Sequence, residues 1–178
     1  MERIPVMKNY LEEKVNELLA KRLRGMEEAL QKNQAKLRDK LQEVLSAQAH
    51  LVHNHQEYKK LTISYLRSSY ITEDHIFLIA CQGETLFLEE ELPEKEIDFS
   101  TLFTEVEADV QKLEEALKQK FIRISDGERE TIRRWYMELL YIHLGEVFKT
   151  GIQQNGYLTG IPLLYGGYME EQRQIGWI

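Results

Sequence analysis

Hydrophobic residues in the first third of the chain recur at the spacing of a helix with one apolar seam. Leu23, Leu30, Leu37, Val44 and Leu51 stand seven apart, and Met26, Asn33, Lys40 and Ala47 follow the first four by three places. This is an a/d heptad pattern over four repeats. From Val6 to Glu57 there is no Pro, one Gly at Gly25, and a majority of strong helix formers. The pattern predicts one long helix, or two joined near Gly25. Leu11, Val15 and Leu18 sit one position out of register, which implies a shift near 19–23. Asn33 and Lys40 weaken the d positions, although Leu41 beside Lys40 supplies an apolar contact and a polar Asn33 can set register. A helix of this length would reach ~75 Å, more than so small a domain can cover. The uncovered part should find a partner chain or fold back as a hairpin.

The period changes at Lys60. "LTISYLRSSYI" is β-branched and aromatic, and "HIFLIACQGETLFLEE" reads as two strands about Gln82-Gly83. A three-stranded antiparallel sheet is expected near 61–68, 75–81 and 84–89, with the acidic "EEELPEKEID" as a solvated loop. A helix should follow Asp98 or Ser100, both good N-caps, with Phe103, Val106, Val110, Leu113 and Leu117 on one stripe. Another should follow Ser125, which has capping-box spacing to Glu128. Its apolar residues, from Ile132 to Phe148, occupy so much of its girth that it is the expected central core element. The Gly-rich tail from Gly151 keeps Leu163, Leu164, Tyr165, Tyr168 and Trp177, so part of it should dock on the body or on a partner.

The fold class expected is therefore α+β and mostly helical: a long N-terminal coiled-coil helix, a small three-stranded antiparallel sheet and two further amphipathic helices. The divisions are a 1–58 arm, a 59–150 head with its sheet in 61–89 and helices at about 99–120 and 126–150, and a 151–178 tail.

Charge alters this picture little. The chain carries a net charge of -7, distributed as 12 Lys and Arg against 9 Asp and Glu in residues 1–60, 5 against 14 in 61–120, and 6 against 7 in 121–178. The interleaved N-terminal charges make no basic stripe and the acidic middle repels phosphate, so nucleic acid is not the expected partner. No apolar run approaches the roughly 20 residues of a membrane span. The N-terminus has no apolar signal region, and the single cysteine permits no internal disulfide, which suits a cytoplasmic setting.

Candidate chemistry is sparse. In "HLVHNHQE", His50, His53 and Glu57 would share one helix face, a geometry suited to zinc or iron if further ligands arrive, with His143 and Glu146 the obvious source. The alternative is the polar C-terminal end of the long helix, where His suits the dipole. Glu-x-x-His, as used by di-iron bundles, does not occur. Cys81 reads as a small core hydrophobe. Arg67 beside Ser68 and Ser69 could hold a phosphate or carboxylate, or Arg67 could pair with an acid in 73–107. Arg129, Arg133 and Arg134 read as a solvated face. P-loop, GxGxxG, GxSxG and HExxH motifs are absent.

Three functions are compatible with these residues. The first is a non-enzymatic interaction protein that forms a homo-oligomer, a dimer in preference, or binds a partner helix through Leu23, Met26, Leu30, Asn33, Leu37, Leu41, Val44 and Leu51, with no cofactor. The second is a metal-binding protein or metalloenzyme using His50, His53 and Glu57 with zinc or iron. The third is an anion or small-molecule sensor with a site near Arg67, Ser68 and Ser69.

Overall fold

A computed structural model describes residues 3–33, 35–55, 57–72, 74–84, 94–153 and 160–178. Helix α1 (Arg3–Glu28) passes through Gly25 unbroken and buries Met7, Leu11, Val15, Leu18, Leu19, Arg22 and Met26. That three-and-four spacing forms one stripe, laid against α5 (Val106–Lys120) and α6 (Asp126–Gln153). A π-helical segment, Ala29–Asn33, precedes α2 (Ala35–Asn54). Each π turn holds an additional residue, so the segment re-aims the stripe that follows it. In α2, Leu41, Leu45, Gln48 and Ala49 are buried, and the helix packs on the sheet. The irregularity thus falls at 29–33, not at 19–23 or Gly25.

The sheet corrects the expected three antiparallel strands. It has five strands and is mixed, in the order β3-β2-β1-β4-β5. Strands β1 (Lys60–Tyr65) and β2 (Ile76–Gln82) form the expected antiparallel pair. The short α3 (Ser69–Thr72) lies between them. β3 (Glu94–Asp98) pairs with β2 at one edge, while the segment expected as the third strand, 84–89, lies outside the described residues beyond Glu84. The acids of β3 face water on an edge strand, where charge blocks further pairing. β4 (Pro162–Gly167) runs parallel to β1, with Leu61 opposite Leu163 and Tyr65 opposite Gly167, and β5 (Gln172–Trp177) closes the other edge. Two strands therefore come from the tail. Their Gly and Pro residues hide them from a propensity reading; β1 hydrogen-bonds β4 across a long sequence separation, and β4 in turn holds β5.

Every residue of β1 from Leu61 to Tyr65 is buried. One face of the sheet carries Leu61, Ile63, Tyr65, Phe77, Ile79, Cys81, Leu163 and Tyr165 and meets α2 and α6. Phe77 is its centre, with Phe99 at 5.1 Å and Phe148 at 5.5 Å edge-on and Tyr141 at 5.6 Å. The other face carries Thr62, Ser64, Leu78 and Ala80 in its middle. After β3, a short α4 (Ser100–Phe103) follows Asp98, whose carboxylate accepts from Ser100 N at 2.8 Å. The α6 capping box is formed, Glu128 accepting from Ser125 N at 2.8 Å and Ser125 Oγ from Glu128 N at 3.3 Å.

One buried ion pair joins α1 to the helices beneath it. Arg22 Nε donates to Asp109 Oδ2 at 2.7 Å, and Asp109 also accepts from Tyr136 at 3.1 Å and from Lys112 at 3.1 Å. Glu105 takes a further Arg22 donor from the solvent side. Burial alone would raise the Asp109 pKa, but the bonds from Arg22, Lys112 and Tyr136 hold it below the usual carboxylate range. Its contribution is present above the unfolded carboxylate pKa and is lost as pH falls through the depressed folded value. Asp109→Ala removes the acceptor of the buried Arg22 Nε and of the Tyr136 hydroxyl, leaving Glu105 as the partner of Arg22, and should cost about 3–5 kcal/mol in urea unfolding, whereas Lys112→Ala, at a half-exposed partner, should cost under about 1 kcal/mol. Equal losses in the two variants would contradict this account.

Candidate functional site

Parallel strands end side by side, so the segments leaving β1 and β4 share one rim of the sheet. Tyr168 N donates to Tyr65 O at 2.9 Å and ties the β4–β5 turn to the end of β1. Gly166 and Gly167 make this closeness feasible. A side chain on Gly166 would meet Glu171 O at 2.8 Å, and one on Gly167 would occupy the space taken by the Glu170 carboxyl group. Glu170 instead folds back and pairs with Arg67 of the β1–α3 segment. Met169, at the apex, has φ 59°, a left-handed conformation that a side chain of this bulk rarely adopts.

Beneath the turn a cleft of about 230 Å³ opens between Tyr65, Tyr165, Gly166, Glu171, Arg173 and Ile142 of α6. α6 approaches this closely because residue 145 is glycine, where a methyl group would meet Tyr165 at 2.8 Å and Arg173 at 2.9 Å. Arg173 spends one nitrogen on Ile142 O at 2.6 Å, and that nitrogen lies 3.9 Å from Glu146. Its remaining donors have no partner among the described residues.

Behind the cleft stands a buried wall of hydroxyl-bearing rings. Tyr165 donates to Tyr141 O at 2.6 Å, Tyr65 is hydrogen-bonded to Tyr70, and Tyr141 is bonded to Ser69 and to His75 Nδ1, the latter at 2.7 Å. His75 stacks on Phe103 at 3.8 Å. Burial lowers the His75 pKa to about 4, helped by the Arg133 charge and opposed by Glu107, Asp98 and Asp74. Burial also pushes the hydroxyls of Tyr65, Tyr70, Tyr141 and Tyr165 upward and the Cys81 thiol to about 11. These groups are all neutral at pH 7. The wall can orient and hydrogen-bond, but none of its members is poised near neutrality to exchange a proton.

The residues singled out in the sequence are placed as follows. Arg67 is exposed and paired with Glu170, an acid outside the 73–107 range expected. Ser68 is exposed, while Ser69 opens α3, is buried and turns to Tyr141. The three do not converge on one point, and the cation beside the cleft is Arg173. His50 and His53 are exposed on α2, which ends at Asn54, so Glu57 lies beyond the helix and off their face. Glu57 is 3.2 Å from His55 Nδ1 instead. His143 Nδ1 is 2.7 Å from Leu139 O. Among the described residues no group of three or more His, Cys, Asp and Glu is placed to hold a metal. Arg133 pairs with Glu107 and donates to Tyr70 O at 2.9 Å, and Arg134 pairs with Glu130 at 2.8 Å.

Of the heptad residues, Met26, Leu30 and Leu41 are buried in the chain's own core. Leu23, Leu37, Val44 and Leu51 are partly buried against it, and the Asn33 side chain lies outside the described ones. Tyr65, Tyr165 and Arg173 escaped the sequence reading. Their signal was the "YGGYMEEQRQ" stretch, legible as a hairpin only with β1 in place.

Comparison with protein-family models, with curated proteins and with solved structures gave no match.

The His75 environment sets a pH dependence. A histidine whose folded pKa is depressed is protonated more readily when unfolded, so its contribution is whole above the unfolded value near 6.5 and declines as pH falls toward 4. Urea unfolding should show roughly 2–3 kcal/mol lost between pH 7 and 4.5. His75→Gln should show a much smaller change over that window. A variant with the parent's profile would remove His75 as the cause.

Proposed function

We propose that this protein is a non-enzymatic sensor that binds a small carboxylate- or phosphate-bearing molecule in the cleft between Tyr65, Tyr165 and Arg173. The observation that carries the reading is the convergence of β1, α6 and the β4–β5 hairpin on one open cleft at the C-terminal ends of a parallel strand pair, a position that suits ligands in α/β sheets. Arg173 offers spare donors to an anion. The tyrosine rings offer flat apolar walls, and Glu171 favours a ligand that also carries an amine or hydroxyl. At about 230 Å³ the space suits a molecule smaller than a typical drug. The neutral wall behind it supports binding over acid–base catalysis. α6 borders the cleft at Ile142 and also carries α1, which gives an occupant a route to the long helix.

A panel of small carboxylates and phosphorylated metabolites, screened by thermal shift and followed by calorimetry, tests this. A true ligand at a hundred times its Kd should raise stability by about 2.7 kcal/mol. Arg173→Ala should lose the effect, while its lost bond to Ile142 O lowers the ligand-free stability by no more than about 1 kcal/mol. A response that survives Arg173→Ala places binding elsewhere, and no response across the panel removes the reading.

Association through the long helix is the second reading, supported by the partly buried Leu23, Leu37, Val44 and Leu51 that α1 and α2 leave at their outer margins. Leu30 faces inward, so it discriminates poorly, whereas Val44→Glu with Leu51→Glu should halve the mass of a dimer in sedimentation. A parent protein that sediments as a monomer removes this reading.

A further inference from the structure

The end of the molecule formed by the start of α1 and the α5–α6 loop carries a second cleft, unrelated to the tyrosine rim. It measures about 570 Å³ and is lined by Arg3, Lys118, Arg123 and Arg129 above a floor of Phe121 and Ile124. Lys120 lies beside it, its ammonium 5.6 Å from the centre of the Tyr10 ring. Five cations thus gather here in a chain of net charge -7, against two adjoining carboxylates: Glu128, 3.1 Å from Arg3, and Asp126, 3.4 Å from Arg129. Lys118 and Arg123 form no ion pair among the described residues, and Arg129 Nε is buried with no hydrogen-bond partner. The cleft has donors to spare and an excess of positive charge.

Apolar residues stand next to that charge. Ile122, between Phe121 and Arg123, is completely exposed, and Val6 and Tyr10, one turn apart on α1, are 39% and 40% exposed. Tyr10 meets Phe121 edge-on at 5.9 Å, which joins the helix face to the loop. An apolar tip ringed by cations complements a surface that presents anions outermost and hydrocarbon beneath. We infer that this end of the protein docks on an anionic phospholipid membrane, with headgroup phosphates in the cleft between Arg3, Lys118, Arg123 and Arg129 and Ile122 inserted at the acyl boundary. A nucleic-acid backbone would satisfy the cations but leave Ile122, Val6 and Tyr10 in water, which is why lipid is the occupant favoured.

Flotation of the full chain with vesicles tests the inference, comparing phosphatidylcholine alone with phosphatidylcholine containing about one-third phosphatidylserine. Binding is expected only to the anionic vesicles and should weaken as salt rises. Lys118→Glu with Arg123→Glu should reduce partitioning by well over tenfold, since each juxtamembrane cation contributes roughly fivefold. Ile122→Asp should also abolish binding, and because all three side chains are exposed these variants should keep the parent's melting temperature. Absence of binding at low salt, or binding undiminished in either variant, overturns the inference. Saturable binding of inorganic phosphate without vesicle binding identifies a free-anion site and overturns the membrane assignment. Retention on duplex DNA that is insensitive to Ile122→Asp overturns it in favour of nucleic acid.

Discussion

The parallel pairing of β1 with β4 is the constraint on which the architecture depends. Two parallel neighbours cannot be joined by a tight turn, so everything between Leu66 and Ile161 is in effect one crossover connection. That connection holds β2, β3 and α3 to α6. β1 becomes the middle of five strands and is buried along its length, and the two faces of the sheet acquire different characters, one aromatic and helix-covered, the other set with Thr62 and Ser64. The pairing also leaves the ends of β1 and β4 abreast, and so creates the rim where Arg67 meets Glu170 and where the tyrosine cleft opens.

A second organising choice concerns the long helix. Its stripe is spent on the interior: α1 on α5 and α6 with Arg22 locked to Asp109, α2 on the sheet with Gln48 Oε1 accepting from the Cys81 thiol at 2.9 Å. The π segment between them lets one helical run serve two differently oriented surfaces without a loop. This explains why a heptad pattern coexists with buried Met26, Leu30 and Leu41. A periodic apolar seam specifies that a surface will be covered, and says nothing of whether the cover belongs to the same chain.

How much was legible in the residues follows from the range over which each signal acts. Strands β1 and β2, and α6 with its Ser125–Glu128 cap, announce themselves through local propensity and spacing, although β1 ends at Tyr65, short of the expected residue 68. β3 was missed because Glu94, Lys95 and Glu96 read as a solvated loop, which is also how an edge strand protects itself. β4 and β5 were missed because Pro162, Gly166, Gly167 and Gly176 argue against a strand until β1 is there to pair with β4, and β4 with β5. Site residues divide in the same way. Arg67 stood out as an arginine in an apolar run, but its partner Glu170 lies 103 positions further along the chain. His50, His53 and Glu57 shared one helix face only while the helix was taken to continue past Asn54. The basic cleft was invisible because Arg3 and Lys118 are brought together by the packing of α1 on α5, which no local window contains.

The late arrival of β4 has a consequence for biosynthesis. β1 and β2 can form a hairpin as soon as Gln82 has left the ribosome, yet the other edge of β1 stays open until Pro162–Gly167 follow it. At about 5–20 residues per second the 85 residues from Gln82 to Gly167 take roughly 4 to 17 s. During it the nascent chain carries a half-paired strand, with one edge of Leu61, Ile63 and Tyr65 open beside the equally apolar Phe77 and Ile79 of β2. Such an edge is a template for pairing with neighbouring chains on a polysome. The protein's yield in a cell should therefore depend less on its final stability than on what shelters β1 while the ribosome completes the distance to β4.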